Sequence, residues 1–128
     1  MTGPIDVAAP ASAVPGTACA ALLRALPDQL DPGVLRRPVR PVSGRTAAWG
    51  DPAVVLRCGV PSGSQRDDPF VIDGVRWAIH DAGTSQRWRT VGRSTDVELV
   101  IPDAYDNQSA LVISVAGPIA RTLPGPVG

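Results

Sequence analysis

Hydrophobic and polar positions alternate most clearly in the second half of the chain. Over residues 75–80, Val75, Trp77 and Ile79 take one side and Arg76, Ala78 and His80 the other, which is the period of a half-buried strand. Phe70-Val71-Ile72 precedes it, and the Asp73-Gly74 between them is a strong dipeptide signal for a tight hairpin turn. After a break at Asp81-Ala82-Gly83-Thr84, residues 87–91 and 96–101 form a second strand pair around Gly92-Arg93-Ser94-Thr95. A meander of at least four antiparallel strands is the expected result.

The first half gives one helix and one further strand. Thr17 is a suitable N-cap for a helix over residues 18–26, where Leu22, Leu23 and Leu26 recur at helical spacing beside Cys19 until Pro27 stops it. Residues 35–42 are extended, since positions before proline are pushed out of the helical region, and Pro38 and Pro41 confine them to a sheet edge or a surface crossing. Residues 45–52 read as a turn anchored by Trp49, and residues 54–58 as a strand with Val54, Leu56 and Cys58 on one face. Residues 61–68 are polar and glycine-rich, as a loop is. Near the C-terminus Pro118 would break a continuous helix, so a strand over 110–114 and a short helix from Ala116 are expected.

These elements predict a single α+β domain over residues 17–124. In it a twisted antiparallel sheet of about four to six strands carries the N-terminal helix and the short C-terminal helix on one face. Residues 1–16, with Pro4, Pro10 and Pro15 among small apolar residues, read as a flexible or extended leader, and residues 125–128 as a disordered tail.

Composition adds compartment and excludes some partners. The 128 residues carry 12 basic and 12 acidic side chains, so no long-range field draws the chain to nucleic acid or to an anionic membrane surface. Every basic residue is an arginine, and Glu98 is the single glutamate, a bias that a GC-rich genome explains. No apolar run approaches the roughly 20 residues that span a bilayer. The start lacks the pattern of a secretory signal, although Met1 before a Pro/Ala-rich stretch also fits a start placed after a removed signal. Cys19 on a helix and Cys58 at a strand end suit a structural disulfide formed outside the cytoplasm, a pair of buried thiols being the alternative. Closing that loop would stabilise the fold by roughly 4 kcal/mol in the chain-entropy model.

Several motifs together resemble a known family. They are the helix Cys19-Ala20-Ala21-Leu22-Leu23-Arg24-Ala25-Leu26-Pro27, Arg36-Arg37-Pro38-Val39, Ala47-Ala48-Trp49-Gly50-Asp51-Pro52, Leu56-Arg57-Cys58-Gly59-Val60, Asp73-Gly74-Val75 with Trp77, and Val91-Gly92-Arg93. Over roughly residues 17–124 the chain resembles the actinobacterial domain-of-unknown-function family 3515. The resemblance implies a secreted or lipid-anchored envelope protein and carries over no catalytic residue.

The chemistry legible in the chain favours binding over catalysis. His80 is the single histidine and is expected exposed at a strand end. A hydrolase could be assembled from it only with Asp81 or Asp51 and one of several serines, without any Gly-x-Ser-x-Gly elbow. Asp67-Asp68 reads as a solvated loop pair, and no spacing suggests a metal or a cofactor. Trp77 and Trp88 are expected in the core, with an exposed aromatic platform as the alternative. Arg36, Arg37 and Arg40 form the densest positive patch, where guanidinium forks suit phosphate or carboxylate. With Trp49, Asp51 and Arg57 they are the candidate binding residues. The expected function is a non-catalytic envelope binding or accessory module, its partner an envelope protein or an anionic envelope ligand, and the alternative is a hydrolase centred on His80.

Overall fold

Strand and helix alternation is set early in the chain by prolines and glycines and later by turn chemistry. The computed structural model of the protein describes residues 3–10, 16–61 and 70–125. In chain order the elements are β1 (Ile5–Asp6), α1 (Gly16–Ala25), β2 (Arg36–Arg37), β3 (Val39–Arg40), β4 (Thr46–Trp49), β5 (Val54–Val60), β6 (Phe70–Ile72), β7 (Val75–Asp81), β8 (Ser85–Thr90), β9 (Asp96–Pro102) and α2 (Gln108–Thr122). The expected acid pair Asp67-Asp68, most of the loop before β6 and the end of the C-terminal tail lie outside the described residues.

Seven strands make one antiparallel sheet in the order β2-β4-β5-β9-β8-β7-β6. The meander β6 to β9 forms as the alternation predicts. Asp73 and Gly74 both take positive φ, 49° and 80°, the conformation a two-residue hairpin needs to match strand twist. The loop from β8 to β9 is closed by a small buried network: Thr90 Oγ1 donates to Asp96 Oδ1 at 2.7 Å, the Arg93 amide donates to the same oxygen, and the Val97 amide donates to Thr90 Oγ1. Each buried polar group in it is satisfied, so none carries the cost of an unmade bond.

The inner face of the sheet packs under both helices. Trp49, Leu56, Cys58, Trp77, Trp88, Leu99 and Ile101 form one core cluster with Cys19 and Leu22 of α1 and with Leu111, Val115 and Ile119 of α2. Trp77 meets Trp88 edge-on at 6.3 Å between ring centroids, and the Trp88 indole donates to Gln108 Oε1, so these tryptophans belong to the core. A disulfide joins Cys19 to Cys58 and ties α1 to the sheet.

The segment at residues 45–52 is more ordered than a turn. Thr46–Trp49 is a strand paired with β5 in the register Ala47 to Leu56 and Trp49 to Val54, and only the residues from Gly50 on turn. All its residues are buried, on both faces of the sheet, and that is why no apolar–polar alternation marks it. Gly50, at φ 74°, starts the turn where a Cβ would collide with Tyr105 Oη and come within 3.0 Å of Val34 Cγ1. With β4 and the short β2, the sheet is one strand wider than the upper count expected.

The C-terminal segment also differs from expectation. Residues 108–122 form one helix with Pro118 inside it, not a strand followed by a short helix. Leu111, Val112, Val115, Ala116 and Ile119 recur at helical spacing and are all buried. Pro118 removes only the amide that would serve the Ser114 carbonyl, and burial of the continuous apolar stripe outweighs that one bond. Thr122 Oγ1 then donates back to the Pro118 carbonyl at 2.8 Å.

Part of the segment read as a leader packs on the domain. Ile5–Asp6 pairs in parallel with Val39–Arg40, the Ile5 amide donating to the Pro38 carbonyl and the Val7 amide to the Arg40 carbonyl. Val7 is buried, and the strip crosses the outer face near β4 and β5, where Arg57 Nε reaches the Ala8 carbonyl at 3.0 Å.

Candidate functional site

Strand alternation separates the arginines that the sequence puts side by side. In β2, Arg36 lies opposite Trp49 on the inner face and Arg37 opposite Ala48 on the outer face. The Arg36 guanidinium stands 5.4 Å from the Trp49 ring centroid, a cation-π contact. Burial lowers its pKa from the ordinary arginine value, and the charge of Asp28 opposes that shift. Trp49 itself is fully buried, with its indole N–H on the Pro27 carbonyl at 3.0 Å. It therefore supports Arg36 and offers no surface of its own, which corrects its expected place among ligand-contacting residues.

The other expected binding residues are dispersed. Arg37 donates to the Gly50 carbonyl at 2.8 Å and to the Gly3 carbonyl at 3.0 Å, so its fork fastens the β4–β5 turn and the N-terminal strip. Arg40 pairs with Asp6 at 3.1 Å on the open surface, where such a pair contributes little. Asp51 is exposed in the β4–β5 turn. Arg57 turns to the outer face and shares the buried Glu98 carboxylate with Arg89, whose Nε lies 2.7 Å from Glu98 Oε2. Of the six residues, Arg36 and Arg37 line a common cavity.

That cavity is a cleft of about 590 Å³ at the β2 end of the sheet, between α1 and the chain running from β2 to β4. Ala20, Leu23 and Arg24 form its helical wall; Arg36, Arg37, Pro38 and Val39 form the opposite wall; Val42, Ser43 and Gly44 close its mouth, and Thr46 and Ala47 complete it. Among the described residues three arginines line it and no carboxylate does. No ion pair engages Arg24 or Arg36 among the described residues.

Arg24 was not among the expected site residues. It sits in the last turn of α1, on the flank adjoining the buried Cys19 and Leu22. The signal was present in the spacing: Ala20, Leu23 and Arg24 fall at i, i+3 and i+4, so Arg24 shares a flank with the edge of the apolar stripe at Leu23.

A second cleft, of about 440 Å³, lies on the outer face between the N-terminal strip and β5, β8 and β9, with Arg57, Arg87 and Glu98 in its lining. There the arginine Arg57 already holds a carboxylate, Glu98. The His80 side chain is exposed near the end of β7, opposite Arg87 in register, and makes no hydrogen bond or ion pair among the described residues. Among the described residues no group of three or more His, Cys, Asp or Glu side chains is placed to hold a metal ion.

The chain belongs to the domain-of-unknown-function family DUF3515, whose match covers residues 3–126. Comparisons with curated proteins and with solved structures give no match.

Proposed function

We propose that this protein is an extracytoplasmic cell-envelope module that binds an anionic ligand without catalysing its conversion, with the cleft between α1 and β2 as its site. The carrying observation is charge segregation. The chain as a whole is electroneutral, yet among the described residues this cleft gathers three arginines and no carboxylate. A partly desolvated guanidinium without a salt-bridge partner is a poor arrangement for stability alone and a good one for receiving phosphate or carboxylate in bidentate geometry.

The envelope placement draws support from the buried Cys19–Cys58 bridge, since structural disulfides persist outside the reducing cytoplasm. No helix among the described residues is long and apolar enough to cross a membrane. The non-catalytic reading draws support from the exposed His80, which has no carboxylate or serine converging on it among the described residues.

Titration calorimetry with inorganic pyrophosphate, on the wild type and on the Arg24→Gln/Arg36→Gln variant, tests the site. The expected result is binding by the wild type and at least a tenfold loss in the variant, with thermal unfolding of the two proteins similar. Equal affinity in both, or no binding in either, overturns the assignment of the cleft.

A further inference from the structure

The cleft is only half polar. Beside Arg24 and Arg36 stand Leu23 and Ala20 on the helix, Val39 on β3 and Val42 at the mouth. Val42 is 91% exposed, the most exposed large hydrophobic side chain among the described residues. A bare inorganic anion would satisfy the guanidinium forks and leave this apolar wall in water. The size of the cleft, about 590 Å³, falls in the range of roughly 300–1,000 Å³ typical of small-molecule sites. It exceeds what a single phosphate or carboxylate fills.

We infer that the ligand of this cleft is a single-chain anionic amphiphile, its phosphate or carboxylate head held by Arg24 and Arg36 and its apolar chain lying along Leu23, Val39 and Val42. The inference rests on the anion-binding reading of the cleft and adds the chemical class of the ligand. Charge complementarity places the head: among the described residues the lining holds arginines and no carboxylate, and Asp28, whose charge reaches Arg36, makes no ion pair with it. Arg36 is the better-organised of the two cations: its stack on Trp49 limits the rotamers it must give up on binding. Arg24 comes from the helix wall, so a head group bridging the two spans the cleft from α1 to β2. Arg37 takes no part in holding the head, because its fork is committed to the carbonyls of Gly50 and Gly3.

The prediction is a dependence on chain length. Each methylene that leaves water tightens binding roughly fourfold, until the apolar wall is covered. Inorganic pyrophosphate and butyl, hexyl and octyl phosphate, all as monomers, are titrated into the wild type, into Arg24→Gln/Arg36→Gln and into Val42→Ser/Leu23→Ala. The expected wild-type series tightens at least tenfold from butyl to octyl phosphate. The arginine variant weakens every member of the series, and the apolar variant flattens the chain dependence, costing octyl phosphate more than pyrophosphate. Should Leu23→Ala disturb folding, Val42→Ser alone gives a smaller flattening at a fully solvated position.

Binding of pyrophosphate with no gain from butyl to octyl phosphate refutes the amphiphile and leaves the anion site standing. Absence of binding by the whole series removes both. Sedimentation with phosphatidylglycerol vesicles separates the sources of such a ligand: octyl phosphate binding without vesicle binding supports capture of a free monomer, and vesicle binding lost in the arginine variant supports a head group presented by a bilayer. Vesicle binding that survives in the arginine variant, with no octyl phosphate binding, overturns the cleft as the site.

Discussion

Replacing both cysteines by alanine isolates the contribution of the one covalent cross-link. Cys19 and Cys58 are fully buried in the core cluster and 39 positions apart in sequence. In the chain-entropy model a loop of that length, once closed, raises the free energy of the unfolded ensemble by about 4 kcal/mol. The folded state loses little, because alanine fits the space of a half-cystine with only a small void. A domain of this size has net stability on the order of 5–15 kcal/mol, so the bridge accounts for a large fraction of it. At roughly 3–5 °C per kcal/mol, the melting temperature of Cys19→Ala/Cys58→Ala should fall by about 12–20 °C. Urea unfolding gives the free-energy difference directly, and alkylation followed by intact mass confirms that the wild-type thiols are protected before reduction. A loss under about 1 kcal/mol would refute the entropic account, and two thiols that alkylate in the unreduced protein would remove the main support for an extracytoplasmic setting.

Gly50→Ala forces a side chain into a left-handed backbone and against Tyr105 Oη, so a loss of about 2–3 kcal/mol is expected in urea unfolding, partly recovered in Gly50→Ala/Tyr105→Phe; an unchanged midpoint would show that the turn can rearrange. Tyr105 itself, the single tyrosine, has its pKa raised above the ordinary 10.0, first by burial and then by the charge of Asp51, against the opposing charge of Arg37 and a hydrogen bond from the Asp51 backbone. The folded state then keeps the phenol proton where the unfolded chain loses it, so stability is intact below pH 10.0 and falls as pH rises through the folded value. Absorbance at about 295 nm should show the raised midpoint, and Tyr105→Phe should remove this part of the alkaline loss; a midpoint at or below 10.0 would contradict it. Glu98→Gln leaves Arg57 and Arg89 without their shared countercharge at a carboxylate that is only 3% exposed, and should cost about 1–3 kcal/mol in urea unfolding. An effect below about 0.5 kcal/mol would mean that solvent screens both pairs.

What could be read from the sequence was what local chemistry decides. The Asp73-Gly74 turn needs positive φ at two neighbours and takes it, and the alternation at Val75, Trp77 and Ile79 follows from one face meeting helices and the other meeting solvent. Where both faces are covered, alternation disappears. Thr46–Trp49 is buried throughout, partly by chain that arrives from the N-terminus, and its two alanines pack without any amphipathic signature. Pro118 misled for a related reason: the local cost of a proline is legible, whereas the burial of Val112, Val115 and Ile119 that outweighs it depends on a sheet formed far away in sequence. The parallel pairing of Ile5 with Val39 belongs to the same class, since nothing in either two-residue strand names its partner.

The candidate site was half legible for a geometric reason. Arg36-Arg37 is conspicuous as a dipeptide, but a strand sends neighbours to opposite faces, and the pair therefore performs two tasks. Arg37 binds the Gly3 carbonyl and so fastens the N-terminal strip, while Arg36 stacks on Trp49 and faces α1, whose Arg24 completes the cleft. The segment between them and β4 carries Pro38 and Val39, and its far side pairs with Ile5–Asp6. One short run of chain thus holds the N-terminal strip on one side and walls the arginine cleft on the other. A substitution such as Arg37→Gln, which frees the strip without touching Arg24 or Arg36, would show how far the shape of the cleft depends on that attachment.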